Sequence, residues 1–457
     1  MRQQRLIIKS FKQGVHPKEH KELVEKSGIK IMPDPQKIVL PLVQHIGAPC
    51  EPLVKQGDAV SVGQKIAGTE KFVSAPIHAG ISGRVTAIKP LPHPIGIEVN
   101  SIVIEKDTEN SNSADTTPQS SSFVQTQDKK FDLNTLDQKQ IRSAIQEAGI
   151  VGLGGAAFPA HVKLSPPEAK PIDTVILNGC ECEPYLTADH RTMLEYPDEC
   201  IQGLKIIMKA VGAAKGYIGI EMNKPDAIKV MREELGSSDD FNISVIGLKV
   251  KYPQGAEKML IKAVLDRDVP AGGLPMDVGA VVSNAGTAVA VTQAVVQGRA
   301  LTKRVVTVTG SGIKEPANVL VPIGALFREV IDFCGGLTPE AGKVIMGGPM
   351  MGLSQWTLNV PVVKATSGIL VLNKKEAALD RETACIRCAR CVDHCPMNLL
   401  PVELGRIVQG EKWDCLAEYN IKDCIECGCC AYICPSKLPL VQLIKLGKLK
   451  TKEVMVK

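Results

Sequence analysis

The sequence predicts a multidomain α/β protein, and three of its features support that prediction. Short apolar segments broken by Gly and Pro come first, strand-like and helix-like segments then alternate, and two cysteine runs of identical spacing follow. We expect five segments: an all-β module over 1–106, a flexible linker over 107–130, an α/β domain over 131–300, a small β-rich unit over 301–360 and a cysteine-rich α domain over 375–445.

The bulk properties exclude two classes of function. The chain has 457 residues, 44% of them hydrophobic, with a net charge of +5 and no basic-aromatic pattern typical of nucleic-acid binding. The longest apolar-rich stretch, "VGAVVSNAGTAVAVTQAVV", carries Ser283, Asn284 and Gln293, and is too polar to span a bilayer. We therefore expect a cytoplasmic chain, in which thiols stay reduced and 15 cysteines call for a metal.

The N-terminal module reads as short strands joined by tight turns. "EPLVKQGDAVSVGQKIAG" and "APIHAGISGRVTAIKP" place turns at Gly57-Asp58, Gly63-Gln64 and Gly83. The pattern resembles the barrel-sandwich hybrid of biotinyl and lipoyl carrier domains, in which a modified lysine sits at a hairpin tip. Lys71 occupies roughly that place, but the hairpin is shorter. We expect an unmodified lysine and a docking module.

The linker and the α/β domain differ sharply in composition. Residues 107–130, "DTENSNSADTTPQSSSFVQTQDKK", contain too few apolar residues to offset the entropy of ordering. Beyond them, "PIDTVILNG", "KGYIGI" and "FNISVIGLKV" read as strands, and "CIQGLKIIMKAVGA", "PDAIKVMREEL" and "GAEKMLIKAVL" as helices. This alternation predicts a parallel, Rossmann-like sheet. "RVVTVTGSGIKEPANVLVPIGALFREVIDFCGGL" then predicts a β-grasp-like unit with one helix.

The cysteine runs, "CIRCARCVDHCP" from Cys385 and "CIECGCCAYICP" from Cys424, share the spacing C-x2-C-x2-C-x3-C-P. This is the spacing of bacterial two-cluster ferredoxins, in which the fourth cysteine of each run binds the other run's cluster. Zinc sites favour paired C-x2-C units and fit it poorly. We predict two [4Fe-4S] clusters in a ferredoxin-like domain, and we expect Cys429 to be a bystander. The predicted ligands are Cys385, Cys388, Cys391 and Cys434 for cluster 1, and Cys395, Cys424, Cys427 and Cys430 for cluster 2.

A glycine-rich turn, "GLGGAAFPAHVKL", precedes the strand "TVILNG". It lacks the G-x-G-x-x-G of ordinary dinucleotide folds, but its glycines allow close backbone approach, and Phe158 and Lys163 add an aromatic ring and a cation. That set suits a flat anionic ligand such as a flavin or a nicotinamide nucleotide; a tight loop between packed elements is the alternative. Acidic residues follow in "NGCECEPYLTADHR", where they could bond ribose hydroxyls or cap a helix.

Together, "GLGGAAFPAHVK" and "NGCECEP" resemble the flavin- and NADH-binding subunit of respiratory complex I, with "YPQGAEKMLI" and "VSNAGTA" following in that family's order. The resemblance implies non-covalent FMN, with NAD(H) as substrate and no catalytic acid or base in the chain. It implies FMN contacts from Gly152, Gly154, Gly155, Lys163, Asn178, Glu181, Asn284 and Thr287. It implies NADH contacts from Phe158, Glu183, Tyr252 and Glu257. The chain departs from the family's motifs at Leu153, Ala157 and Cys180.

The order of all the segments, ending in a β-grasp (SLBB-like) unit and a two-cluster domain, resembles the C subunit of Rnf-type electron transport complexes. That resemblance implies an NAD-linked oxidoreductase (translocase) subunit. Its complex exchanges electrons between ferredoxin and NAD(H) and couples this to Na⁺ or H⁺ translocation. The implied partners are an iron-sulfur subunit and integral membrane subunits, with this chain peripheral on the cytoplasmic face. The alternatives are a soluble flavoprotein iron-sulfur reductase, for example of cobalamin, and a non-enzymatic electron-relay scaffold.

Overall fold

The computed structural model describes residues 8–107, 132–236 and 241–456, so that the predicted linker, apart from Asp107, lies outside the described residues. The first two strands, β1 (Ile8–Lys9) and β2 (Ile29–Ile31), join sheets built by later parts of the chain. Between them, the buried Lys21 donates hydrogen bonds to the carbonyls of Glu181, Glu183 and Leu186. Residues 8–31 therefore contact both the α/β domain and the β-grasp unit, because each of their two strands pairs with a strand of one of them.

The predicted all-β module is present as two small antiparallel sheets. One has the strand order β3-β9-β8-β5 and the other β4-β6-β7. Ile38, Ile66 and Ile102 are fully buried in the module's core. Lys71 lies in the exposed connection between β6 and β7. The strands are β3 (Lys37–Pro41), β4 (Glu51–Pro52), β5 (Ala59–Val60), β6 (Lys65–Gly68), β7 (Ile77–His78), β8 (Gly83–Pro92) and β9 (Glu98–Glu105).

The α/β domain has the predicted parallel sheet, in the order β1-β12-β11-β10-β13. The longest apolar-rich stretch forms β13 and α7, and none of the described helices combines the length and hydrophobicity that crossing a membrane requires. The elements are α1 (Gln138–Glu147), α2 (Ala160–Lys163), β10 (Thr174–Gly179), α3 (Ala188–Glu195), α4 (Pro197–Val211), β11 (Lys215–Glu221), α5 (Pro225–Leu235), β12 (Ile243–Leu248), α6 (Glu257–Leu265), β13 (Ala280–Asn284) and α7 (Ala285–Gln297).

The last two units follow the predicted order. The β-grasp unit forms a sheet of order β17-β16-β18-β14-β15-β2, with α8 packed on it. The cysteine-rich domain is helical, and α9 and α11 are separated by the same 39-residue offset as Cys385 and Cys424. The elements are β14 (Lys303–Thr309), β15 (Ala317–Pro322), α8 (Phe327–Phe333), β16 (Ala341–Met346), β17 (Leu353–Ser354), β18 (Gly368–Asn373), α9 (Arg390–Asp393), α10 (Pro401–Gln409), α11 (Cys429–Tyr432) and α12 (Leu440–Val456).

A buried lysine lies where three domains meet. Lys364 is 1% exposed, and its Nζ donates to the carbonyls of Pro76 at 2.6 Å and Gly149 at 2.7 Å. Burial lowers the pKa of Lys364 to about 7. A neutral amine has two N–H donors, which these two carbonyls satisfy, whereas a third proton adds a charge that burial penalises.

We predict that Lys364 makes stability rise with pH from about 7 towards its ordinary pKa of 10.5. In that window the unfolded chain holds a proton that the folded chain has released, so raising the pH favours folding by up to about 1.4 kcal/mol per pH unit. Urea-unfolding midpoints of wild type and Lys364→Met, measured from pH 7 to 9.5, test this. The variant should be less stable and should lose this slope, whereas the exposed-lysine control Lys229→Met should keep it. Equal slopes in wild type and Lys364→Met would contradict the assignment.

Candidate functional site

Two asparagines meet at the carboxyl ends of neighbouring parallel strands. Asn178 of β10 and Asn284 of β13 are direct partners in the sheet register. The Asn178 amide donates to the Gly255 carbonyl at 2.8 Å, and the Asn284 amide donates to Asp189 Oδ2 at 2.6 Å. Ligands of open α/β sheets bind at such strand ends, and the structure brings both predicted residues there.

The glycine-rich loop is anchored beside these strand ends by its backbone. The Gly152 N–H donates to the Phe158 carbonyl at 2.8 Å, which closes the loop on itself. The Leu153 N–H donates to the hydroxyl of Thr287 at 2.9 Å, in the first turn of α7. Leu153 thus keeps the loop attached through its backbone, although its side chain departs from the complex I motif.

The tip of this loop offers hydrogen-bond donors. Gly154, Gly155 and Ala156 are exposed, and their N–H groups have no partner among the described residues. Gly155 has a φ of +113°, which favours glycine, and a Cβ placed there would meet open space. Successive free N–H groups near the N-terminus of a helix bind phosphate, so the loop fits the phosphate end of FMN.

Lys163 and Glu257 lie together at the border of the site. Their side chains form an ion pair, and they are 34% and 37% exposed, respectively. Lys163 ends α2, directly after the glycine-rich loop, and Glu257 begins α6. The structure therefore joins a residue predicted for FMN to one predicted for NADH.

The Glu181 carboxylate binds the start of a helix, which is one of the two roles that the sequence left open for the acidic residues. Its two carboxylate oxygens accept hydrogen bonds from the backbone N–H groups of Asp189 at 2.8 Å and His190 at 3.0 Å, at the start of α3. Burial, followed by the charge of Glu181, raises the pKa of Asp189 to about 7. Of the two roles considered for the acidic residues, the structure gives Glu181 that of a helix cap.

Arg304 is a site residue that the sequence reasoning missed. It lies in β14, is 5% exposed, and donates to the carbonyls of Leu153, at 3.2 Å, and of Lys364. Burial lowers the pKa of Arg304 to about 10, and the nearby charge of Asp189 opposes that shift. Nothing in "KRVVTVTG" connects this arginine with a loop 151 residues earlier.

Glu183 receives a loop of the β-grasp unit. Its carboxylate accepts from the N–H groups of Met350 at 3.1 Å and Met351 at 2.9 Å. A Cβ placed on Gly348 would come within 2.2 Å of Glu183 Oε2, so glycine allows this close approach. Burial raises the pKa of Glu183 to about 7. The predicted NADH contact thus lies at a junction between two domains.

Tyr252 requires a correction. It is 1% exposed, which leaves its ring no surface to offer to NADH, because the cysteine-rich domain packs against it. Its hydroxyl donates to the Cys427 carbonyl at 2.8 Å, and Val15 and Cys429 complete the apolar contact. Tyr252 therefore connects the strand-end site with the second cysteine run.

Cysteines of the two runs approach one another crosswise. Cys395 of the first run lies close enough to Cys424, Cys427 and Cys430 for its charge to act on Cys424 and Cys430. Burial, with the charges of Cys427 and Cys395 contributing, raises the pKa of Cys424 to about 11. A group of buried thiols resists becoming several thiolates unless a cation compensates their charge, and iron bound here would supply that cation.

The first run likewise lies near a cysteine of the second run, and the two runs share the same local backbone conformation. The charge of Cys434, from the second run, acts on Cys391. Arg387 and Glu426 occupy equivalent positions, have φ values of +55° and +58°, and each directs its N–H to a cysteine sulfur at 3.4 Å. Among the described residues no three His, Cys, Asp or Glu side chains lie close enough to bind a single metal ion. A [4Fe-4S] cluster does not require such close ligands, because each of its four thiolates binds a different iron atom.

Comparison with known families matches four consecutive segments. The matched models describe an RnfC barrel sandwich hybrid domain over 9–109, a Nuo51 FMN-binding domain over 145–293, an SLBB domain over 305–354 and a 4Fe-4S dicluster domain over 384–438. The match agrees with the predicted fold class and with the two kinds of site described above.

Curated relatives match along almost the whole chain. The C subunit of the proton-translocating ferredoxin:NAD(+) oxidoreductase complex of Clostridium ljungdahlii is 47% identical, covering 97% of this chain and 94% of the relative. The C subunit of the Na(+)-translocating complex of Acetobacterium woodii is 45% identical, covering 96% of both chains. The C subunit of the ion-translocating oxidoreductase complex of Rhodobacter capsulatus is 41% identical, covering 97% of this chain and 83% of the relative.

Proposed function

Because this chain belongs to the family of C subunits of ion-translocating ferredoxin:NAD(+) oxidoreductase complexes, we propose that it exchanges electrons between NAD(H) and the rest of such a complex. The match over 97% of the chain favours this function over a soluble reductase or a relay scaffold. The partners are the other subunits of the complex, including integral membrane and iron-sulfur subunits. The chain is peripheral, and we place it on the cytoplasmic face.

FMN and two [4Fe-4S] clusters are the cofactors, and NAD(H) is the substrate. A bound flavin exchanges a hydride with NAD(H) and single electrons with iron-sulfur clusters, so the chain itself needs no acid or base catalyst. The free N–H groups of Gly154 and Gly155 would hold the flavin phosphate, and Lys163 would supply a positive charge to it. Phe158, Glu183 and Glu257 would contact the nicotinamide nucleotide.

The contact between Tyr252 and Cys427 is the observation that carries this proposal. It packs the candidate flavin site against the ligands of cluster 2, with a hydrogen bond of 2.8 Å joining the two. Burial of Tyr252 excludes water from the junction. Of the cluster 1 cysteines, Cys385 and Cys388 are exposed, so one cysteine group lies against the flavin site and the other reaches the surface on one side.

Anaerobic reconstitution with FMN and iron, followed by NADH titration with an artificial one-electron acceptor, tests the proposal. Lys163→Ala should weaken FMN binding about tenfold, because it removes one charge-assisted contact from a partly exposed site. NADH oxidation should fall accordingly, with the iron content unchanged. Lys229→Ala, at an exposed lysine of α5, is the matched control. A reconstituted wild type that binds iron but no FMN would refute the proposed function.

A further inference from the structure

The two cysteine loops are related by the 39-residue repeat but have different surroundings. In the second loop, Tyr252 bonds to the Cys427 carbonyl, and Cys429 is fully buried beneath it. The equivalent positions of the first loop are Cys388 and Arg390, and both are exposed. The α/β domain therefore covers one loop, and no described part of the chain covers the corresponding face of the other.

The charges of the two loops differ in the same way. The charge of Glu426 in the second loop is paired within the chain: its carboxylate accepts from Lys448 Nζ at 2.7 Å and lies 3.8 Å from Lys445 Nζ. Its equivalent in the first loop is Arg387, which has the opposite charge and is exposed. Arg387 forms no ion pair with any residue that the structure describes. A cation presented beside a redox centre is the complement of an acidic surface.

The surface that we name the cluster-1 face comprises residues 378–390, all of which are exposed. Leu379 and Ile386 are 88% and 67% exposed, so apolar side chains lie among the charged ones. An apolar centre with a charged rim is the usual composition of a protein interface. The charged residues of the face are Arg381, Arg387 and Arg390, against Glu382 and Asp380, the last paired with Lys437 at 2.9 Å.

We propose that the cluster-1 face docks an acidic redox subunit of the complex. Resting on the proposed function, the inference adds where the partner binds and which charge it presents. The partner contacts the loop of Cys385 and Cys388 as the α/β domain contacts the loop of Cys427. Because these two cysteines are exposed, a cluster that they help to hold would lie near the partner, and Arg387 and Arg390 supply the charge that orients the partner.

The test measures binding of the reconstituted full chain to the purified membrane complex from a strain lacking this subunit. The double variant Arg387→Glu/Arg390→Glu should weaken binding by about 10- to 100-fold, and binding should depend less on salt than in wild type. The variant Arg387→Lys/Arg390→Lys should retain most of the affinity. Lys229→Glu/Arg232→Glu, which reverses two exposed cations on α5, should bind like wild type. Iron and FMN contents should be equal in all four proteins.

Four other outcomes would contradict the proposal that an acidic subunit docks on the cluster-1 face. Unchanged binding by the Glu double variant, while wild type still oxidises NADH, would refute the face and leave the proposed function standing. Sedimentation showing that wild type self-associates through these arginines would make a second copy the occupant. Binding to anionic lipid vesicles, but not to the complex in detergent, would make the membrane the occupant. Absence of wild-type binding to the complex would refute the face and the partner assignment together.

Discussion

Changing Cys395 to alanine should destroy the cluster of the second run and spare that of the first, although Cys395 belongs to the first run. The structure places Cys395 with Cys424, Cys427 and Cys430, whereas Cys434 approaches Cys391. A cubane that loses one of its four thiolates is degraded or lost, so the iron content should fall from about eight per chain towards about four.

Pairs of variants test this crosswise ligation directly. Cys395→Ala and Cys424→Ala should give the same electron paramagnetic resonance spectrum of the remaining reduced cluster, and combining them should cost no further iron. Cys434→Ala should instead match Cys385→Ala. Combining Cys395→Ala with Cys385→Ala should remove both clusters.

Two other cysteines serve as controls. Cys429→Ala and Cys415→Ala should keep all the iron, because neither belongs to the predicted ligand sets. If Cys395→Ala instead reproduced the spectrum of Cys385→Ala, each run would bind its own cluster, and the crosswise assignment would be wrong.

Short sequence patterns were sufficient to predict features that depend on neighbouring residues, such as the order of strands and helices. The cysteine spacing sets which thiols can share a cluster, and the alternation of strands and helices sets the parallel sheet, which brings Asn178 and Asn284 side by side. Glu181 shows the limit of a local pattern. An acidic residue before a helix suits a nucleotide or a cap equally, and only the position of the α3 N–H groups decides between them.

Contacts between distant segments could not be predicted, because no local pattern encodes them. Tyr252 reads as a site residue until the cysteine-rich domain is packed on it. Lys21 and Lys364 are ordinary lysines in the sequence, yet each is buried and donates to backbone carbonyls of other domains. These buried lysines show that the domains form one structure around the strand-end site.

Replacing Arg304 with methionine should lower the affinity for FMN about 100-fold while both clusters remain. Methionine keeps much of the side-chain volume but leaves the buried Leu153 carbonyl without its donor and removes one of the two cations that act on Asp189, so that only Lys224 remains. Loss of one charged partner of a buried group costs about 3 kcal/mol, and about 1.36 kcal/mol corresponds to a tenfold change. The cost falls on FMN binding because Leu153 belongs to the loop that presents the free N–H groups.

Fluorescence quenching on FMN binding, with iron analysis of the same samples, distinguishes this positioning role from a general loss of stability. Arg304→Lys keeps the charge and should recover part of the affinity, whereas Arg328→Met, at an exposed arginine of α8, should change nothing. Without the cation, the already raised pKa of Asp189 should rise further, so the deficit in FMN affinity should vary with pH around neutrality. If Arg304→Met unfolded at lower urea but bound FMN with wild-type affinity at every pH, Arg304 would support only the domain interface. The loop would then hold its shape through Thr287 and its own backbone hydrogen bonds.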